Sequence, residues 1–153
     1  MALLTDPGFY AHLTGLTKVA PPEVLDRVVD GATVQMKVRY RFIADLPSAA
    51  TAIIDPARLT WIDETTFDLA ARSSRTVLLP DHYPDRLQAN AHTTFEAIPS
   101  AAPGDPDHTV RAVRGTFTVK VPLVGGKVEK ALASGLIEHF AEEATVAATR
   151  LRR

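Results

Sequence analysis

The stretch TVQMKVRYRF, residues 33–42, constrains the fold more than any other in the chain. Val34, Met36, Val38, Tyr40 and Phe42 fall on one side of an extended backbone, and Gln35, Lys37, Arg39 and Arg41 on the other. Successive side chains of a strand point to opposite faces, so this strand has one buried face and one wet face. Wet-faced strands belong to antiparallel sheets, whereas the strands of a buried parallel sheet read as continuous apolar runs.

The same alternation recurs downstream. Residues 58–70 place Leu59, Trp61, Asp63, Thr65, Phe67 and Leu69 on one face. Residues 74–80 form a short strand ending at Pro80, followed by the turn-rich DHYPD. Residues 86–98 set Leu87, Ala89, Ala91, Thr93, Phe95 and Ala97 against Gln88, Asn90, His92, Thr94 and Glu96. The loop PSAAPGDPD, expected to be the most mobile segment, leads to a last strand over 108–121 with Phe117, Val119 and Val121 inward. Upstream, EVLDRVVDG is ambiguous on periodicity, but Asp30-Gly31 is a strong hairpin signal, so 23–30 is read as a strand feeding the hairpin.

Helices are expected at three places. Thr5 or Asp6 before Pro7 starts one that runs to about Thr14 and stops at Gly15. DLPSAATAIID is a short helical excursion ended by Pro56. From about Val124 the pattern becomes helical to the C-terminus. There Val124, Val128, Ala131 and Leu132 share one side, and Leu136, Phe140, Ala144, Ala147 and Leu151 another, with a kink expected at Ser134-Gly135. The fold class is therefore α+β, with a curved antiparallel sheet of about six strands gripping a long C-terminal helix and a short N-terminal helix.

The 153 residues are enough for a single domain, read as 1–153, with one sizeable core. A formal net charge of −1 supplies no basic field for nucleic acid. Lys37, Arg39 and Arg41 lie on a wet sheet face without interleaved aromatics, balanced by Glu64, Asp68 and Glu96, and do not make a nucleic-acid platform. The absence of cysteine excludes thiolate metal sites and thiol nucleophiles. No window suits a membrane span and the N-terminus has no export pattern, so a cytoplasmic location is expected. VPLVGGKVEK, 121–130, lacks the spaced first glycine of a phosphate loop. Val128 also stands where that loop needs a hydroxyl, so the glycines are read as a strand-to-helix joint.

These features carry a resemblance. The hairpin around VVDGATVQMKVRYRF, the DLPSAATAII excursion, LTWIDETTF and the join VKVPLVGGKVEK resemble the START-related (SRPBCC) superfamily of helix-grip, pollen-allergen-like domains. More narrowly, they resemble an actinobacterial family of uncharacterised function within it. The resemblance covers nearly the whole chain and implies a fold and a cavity for lipids, sterols or polyketides. It implies no catalytic residue. The superfamily opens with a strand before its first helix, and MALLT is too short for one. Either the true N-terminus lies upstream, or the strand at 108–121 is left as an open edge. An open edge is expected to pair with a second copy or to be covered by another segment.

The expected ligand-lining residues are Met36, Val38, Tyr40, Trp61, Asp63, Phe67, Phe95, Phe117, Leu136 and Phe140, with Ala131, Ala133 and Gly135 leaving room beside the helix. Inward aromatics commonly just fill a core, which is the alternative. Asp63, with Thr65 and Tyr40, is polar on an apolar face. It is either a buried acid or base or, the commoner case, solvated near a sheet edge or across a bulge. His139, Glu142 and Glu143 share a helix face that could offer metal ligands, but no second ligand cluster accompanies them, so ordinary pairing on a wet face is the simpler reading. No metal or cofactor is expected. The function expected is binding of a hydrophobic or amphipathic small molecule. The alternatives are a cyclase- or hydratase-type enzyme using the same cavity and an interaction module acting through the open edge.

Overall fold

The computed structural model describes residues 1–100, 108–123 and 125–151. Each alternating run is a strand: β1 (Glu23–Asp30), β2 (Thr33–Arg41), β3 (Thr60–Asp68), β4 (Ser73–Pro80), β5 (Leu87–Ile98) and β6 (His108–Val119). They pair in chain order, each antiparallel to the next, into one open sheet with β1 and β6 at its edges. The helices are α1 (Pro7–Tyr10), α2 (Ser48–Thr51) and α3 (Gly125–Leu151), with 3-10 turns at Ala2–Thr5 and Pro56–Arg58. The fold is α+β, with α3 packed against the sheet. Most of the expected loop before β6, and Val124, lie outside the described residues.

The helical segments correct three expectations. The Asp6 side chain accepts from Gly8 N at 2.9 Å, as a cap should, but α1 lasts a single turn. Helix this short has little stability of its own, and tertiary contact decides the path instead. Here the chain turns through i→i−3 bonds, His12 N to Phe9 O and Leu13 N to Tyr10 O, which sink both Phe9 and Leu13 out of solvent. Pro56 begins a 3-10 turn rather than ending a helix. Asp55 caps Ala57 N, and a proline at the first helical position sacrifices no hydrogen bond.

The third correction concerns α3. It is one continuous helix whose buried stripe is Gly125, Val128, Leu132, Gly135, His139 and Glu143. Spacings of three and four keep these residues on one face. Two polar residues complete the stripe and Leu136 and Phe140 flank it half-buried, so hydropathy alone reads one broad sheet-facing side as two separate faces. Gly135 lets that face approach the sheet: a Cβ there would stand 2.7 Å from Phe42 Cε2.

The N-terminal segment closes the β1–β2 side of the inner face. Val19 bridges Phe42, Ala20 N donates to Arg41 O, and Arg27 Nε donates to Thr5 O at 2.7 Å. Phe9, Leu13, Val19, Val34, Met36, Ile54 and Val128 are the most deeply buried side chains, each worth about 1.5–3 kcal/mol if fully buried. On the outer face Lys37 pairs with Glu64 at 2.6 Å and Arg39 with Asp81 at 3.2 Å. Such solvated pairs contribute little stability. At the helix joint, Gly125 N donates to Val121 O at 2.9 Å, so this amide is spent on the turn and the glycines serve as a joint. No helix among the described residues is long and apolar enough to cross a membrane.

Candidate functional site

Sheet register builds the site. Directly paired residues of neighbouring strands share a face, so the inner face reads as rows across the strands. One row is Val38, Asp63, Leu78, Ala89 and Phe117. The next is Met36, Thr65, Thr76, Ala91 and Gly115, and the third is Val34, Phe67, Ser74, Thr93 and Val113. Over β3 to β6 the middle row has no large side chain. At its end a Cβ on Gly115 would collide with Asn90 O, so close strand approach keeps that position bare. The space between this row and α3 stays unfilled.

Two cavities occupy it. The outer one, about 300 Å³, is largely apolar, walled by Leu78, Ala89, Phe117, Ala133, Leu136 and Ile137. The inner one, about 80 Å³, is walled by Tyr10, Tyr40, Thr65, Ser74, Thr93, Arg111, His139 and Glu143 among others. Asp63, Thr76, Ala91, Val113 and Phe140 line both. Asp63 therefore stands where an apolar mouth meets a polar floor.

The floor's polar groups differ in how they are satisfied. Thr65 Oγ1 and Thr76 Oγ1 are 2.9 Å apart and hydrogen-bonded. Arg111 Nη1 and Nη2 each donate to Glu143 Oε2 at 3.0 Å, and the guanidinium lies 5.3 Å from the Phe140 ring centre. Tyr40 stacks on Trp61 at 5.7 Å and meets the His139 ring edge-on at 5.4 Å. His139 is 3% exposed, yet its Nδ1 has no hydrogen-bond partner. Burial lowers the His139 pKa, with Glu143 opposing, so the neutral imidazole is favoured. Burial also pushes the Asp63 carboxyl up to about 7. The Trp61 indole N–H acts against that rise without meeting hydrogen-bond geometry, and the Glu143 charge adds to it. The Tyr10 and Tyr40 phenols are raised well above their usual range, again mainly by burial.

Eight of the expected lining residues reach these spaces. Tyr40, Phe67 and Phe95 line the inner cavity, Phe117 and Leu136 the outer one, and Asp63 and Phe140 both. Trp61 lines a smaller apolar space of about 30 Å³, whose wall includes Leu78, Phe117 and Leu136 of the outer cavity. Met36 and Val38 do not belong. They are 2% and 3% exposed within the packed core, on the side of the sheet that the N-terminal segment covers. Of the small helix residues, Ala133 lines the cavity while Gly135 is pressed against Phe42.

Asp63 is not an edge residue, because β3 is flanked by β2 and β4 and the register across it is unbroken. His139 and Glu143 do not lie on a wet face, being 3% and 5% exposed. Among the described residues no three His, Cys, Asp or Glu side chains are grouped to hold a metal. Arg111 escaped the sequence reading, although period 2 counted back from Phe117 puts it on the inward face. Chemically, the site combines a hydrocarbon-sized mouth with a carboxyl able to exchange a proton near neutral pH and a ring of hydroxyl and imidazole groups.

No curated protein matches the chain in sequence. Residues 1–151 match a family pattern described as "Protein of unknown function (DUF2505)", and the chain belongs to that family.

Proposed function

We propose that this protein binds an amphipathic small molecule, with its apolar part in the outer cavity and its polar part at the floor. The observation that carries this reading is the shared wall, in which Asp63, Thr76, Ala91, Val113 and Phe140 join an apolar space to a polar one. The outer volume of about 300 Å³ sits at the small end of known ligand pockets, which favours a compact lipid or polyketide-like molecule over a bulky one. The sequence of hairpins ending in a helix over the inner face supports grouping the chain with START-related helix-grip domains. Native mass spectrometry of protein purified from its own host tests the reading. A co-purified small molecule retained by the wild type supports it. A ligand-free mass, with no change of Trp61 fluorescence across a panel of lipids and polyketide-like aromatics, rejects it.

A second reading, acid–base catalysis of the cyclase or hydratase type, is favoured by the convergence of Asp63, Tyr40 and His139 on one small floor. A general acid or base works best when its pKa lies near the working pH. Turnover of an enolisable carbonyl substrate by the wild type and its loss in Asp63→Asn would establish it.

The outer edge of β6 supports a third proposal, pairing between copies. β6 is terminal in the sheet and Val110 on it is 46% exposed. Unpaired strand edges are templates for association. A monomer by light scattering, with fast amide exchange along residues 112–120, excludes this.

A further inference from the structure

We propose that the polar part of the ligand is a cation, a protonated amine carried on an apolar body. This rests on the small-molecule reading above and specifies its chemistry.

The argument is one of charge accounting. The charged and titratable groups facing Asp63 are Tyr10 from α1, Tyr40 from β2, His139 and Glu143 from α3, and Arg111 from β6. Arg111 is the only cation among them, and both of its terminal nitrogens are spent on Glu143 Oε2. Among the described residues Asp63 has no ion-pair partner. When ionised, it leaves the floor with one uncompensated negative charge. A carboxylate ligand would meet Asp63 and Glu143 together, and a neutral alcohol would leave the Asp63 charge bare. An ammonium group supplies the missing positive charge.

Hydrogen-bond polarity agrees. An ammonium has three donors and no acceptor, so it needs a floor of acceptors. The Asp63 carboxylate, the Tyr40 hydroxyl oxygen and one ring nitrogen of neutral His139 are acceptors. His139 Nδ1 is buried with no partner, and with the ring proton on Nε2 it offers a free acceptor at the floor. The stacked Tyr40–Trp61 pair adds an aromatic surface beside the floor, a further attraction for a cation.

A consequence follows for protons. Without ligand, burial holds the Asp63 carboxyl up to about 7. A cation bound beside it favours the carboxylate, so binding releases a proton and tightens as pH rises through this range.

The test compares octylamine, octanoate and octanol, which share one apolar body, by titration calorimetry and Trp61 fluorescence at about pH 8 and pH 5.5. The expected result is octylamine binding about tenfold or more tighter than either analogue at the higher pH, with that advantage reduced about tenfold at the lower. Asp63→Asn removes the preference for the amine while octanol still binds. If this variant does not fold, the pH dependence of the wild type carries the same information. Equal or tighter binding of octanoate or octanol overturns the amine assignment and leaves small-molecule binding standing. Saturable binding of none of the three also overturns it, and the host-purified mass measurement then decides the broader reading independently.

Discussion

Arg111 on edge strand β6 puts Nη1 and Nη2 at 3.0 Å from one oxygen of Glu143 on α3, tying the sheet's last strand to its covering helix. The Glu143 side chain is 7% exposed and that of Arg111 19%. Removing one member of a buried pair strands the other charge, which costs about 3–5 kcal/mol in fully buried cases. The partial exposure of Arg111 reduces this. Glu143→Gln is expected to lose about 2–3 kcal/mol in urea unfolding, and Glu143→Leu combined with Arg111→Met to recover most of it. A double variant no more stable than the single one contradicts this account.

Gly135 sets the distance between helix and sheet. A Cβ there would reach 2.7 Å from Cε2 and 3.2 Å from Cζ of Phe42, a ring itself only 5% exposed. The ring cannot swing into solvent, so Gly135→Ala overpacks the contact. The expected loss is about 1–3 kcal/mol, larger than the gain of up to about 1 kcal/mol from replacing glycine by alanine inside a helix. Phe42→Leu in the same chain should relieve most of the clash. Gly135→Ala unfolding at or above the wild-type temperature would show that the helix can shift away freely.

Two groups at the site, half-buried Asp63 and buried His139, give stability opposing pH dependences. Asp63 has a folded pKa of about 7, above the ordinary 3.8. Between those values the folded state holds the extra proton, so the Asp63 contribution is present at acid pH and is lost as pH rises from about 4 to about 7. His139 has its folded pKa lowered below 6.5 by burial, so its contribution is lost as pH falls below 6.5. The wild type therefore shows a flattened profile. Asp63→Asn should be more stable than the wild type at pH 8 relative to pH 5, and His139→Gln should remove the acid-side loss. Chemical denaturation from pH 4 to 8 reads both. Parallel profiles for wild type and Asp63→Asn would mean that Asp63 titrates as a solvated carboxylate.

Strand by strand, the sheet was legible because a two-residue period survives any tertiary context that buries one face. Val34 to Phe42 could be read without knowing what covered them. Cavity lining was legible only in part, since alternation assigns a face and not a neighbour. Met36 and Val38 share a face with Tyr40, but the N-terminal segment packs over their side of the sheet. The polar floor was hidden because it violates the rule used to find helix faces. His139 and Glu143 lie on the buried stripe of α3, where hydropathy predicts apolar residues. Their burial depends on Arg111 and Tyr40, far away in sequence. Asp63 looked most ordinary as a solvated group, and only the register that places it between Val38 and Leu78 puts it half-buried on the inner face of a central strand.

Cavity shape can be separated from stability at Ala91. This residue is half-buried, lines both cavities, and is paired with Thr76 on one side and Gly115 on the other. A leucine there extends into open space, so overpacking does not arise. The added apolar surface is partly withdrawn from water, at about 25 cal/mol per Å², and stability should be unchanged or slightly raised. Ligand volume is lost directly, and binding should weaken about tenfold or more, because even one misplaced methylene group in an apolar pocket shifts affinity by about 1–3 kcal/mol. Phe117→Trp, which enlarges the neighbouring row of the same sheet wall of the outer cavity, should act in the same direction. Isothermal titration with whichever molecule the host-purified protein carries, set beside thermal unfolding of the same variants, measures both quantities. Unaltered uptake in both variants would place the ligand somewhere other than between the Thr76–Ala91–Gly115 row and α3.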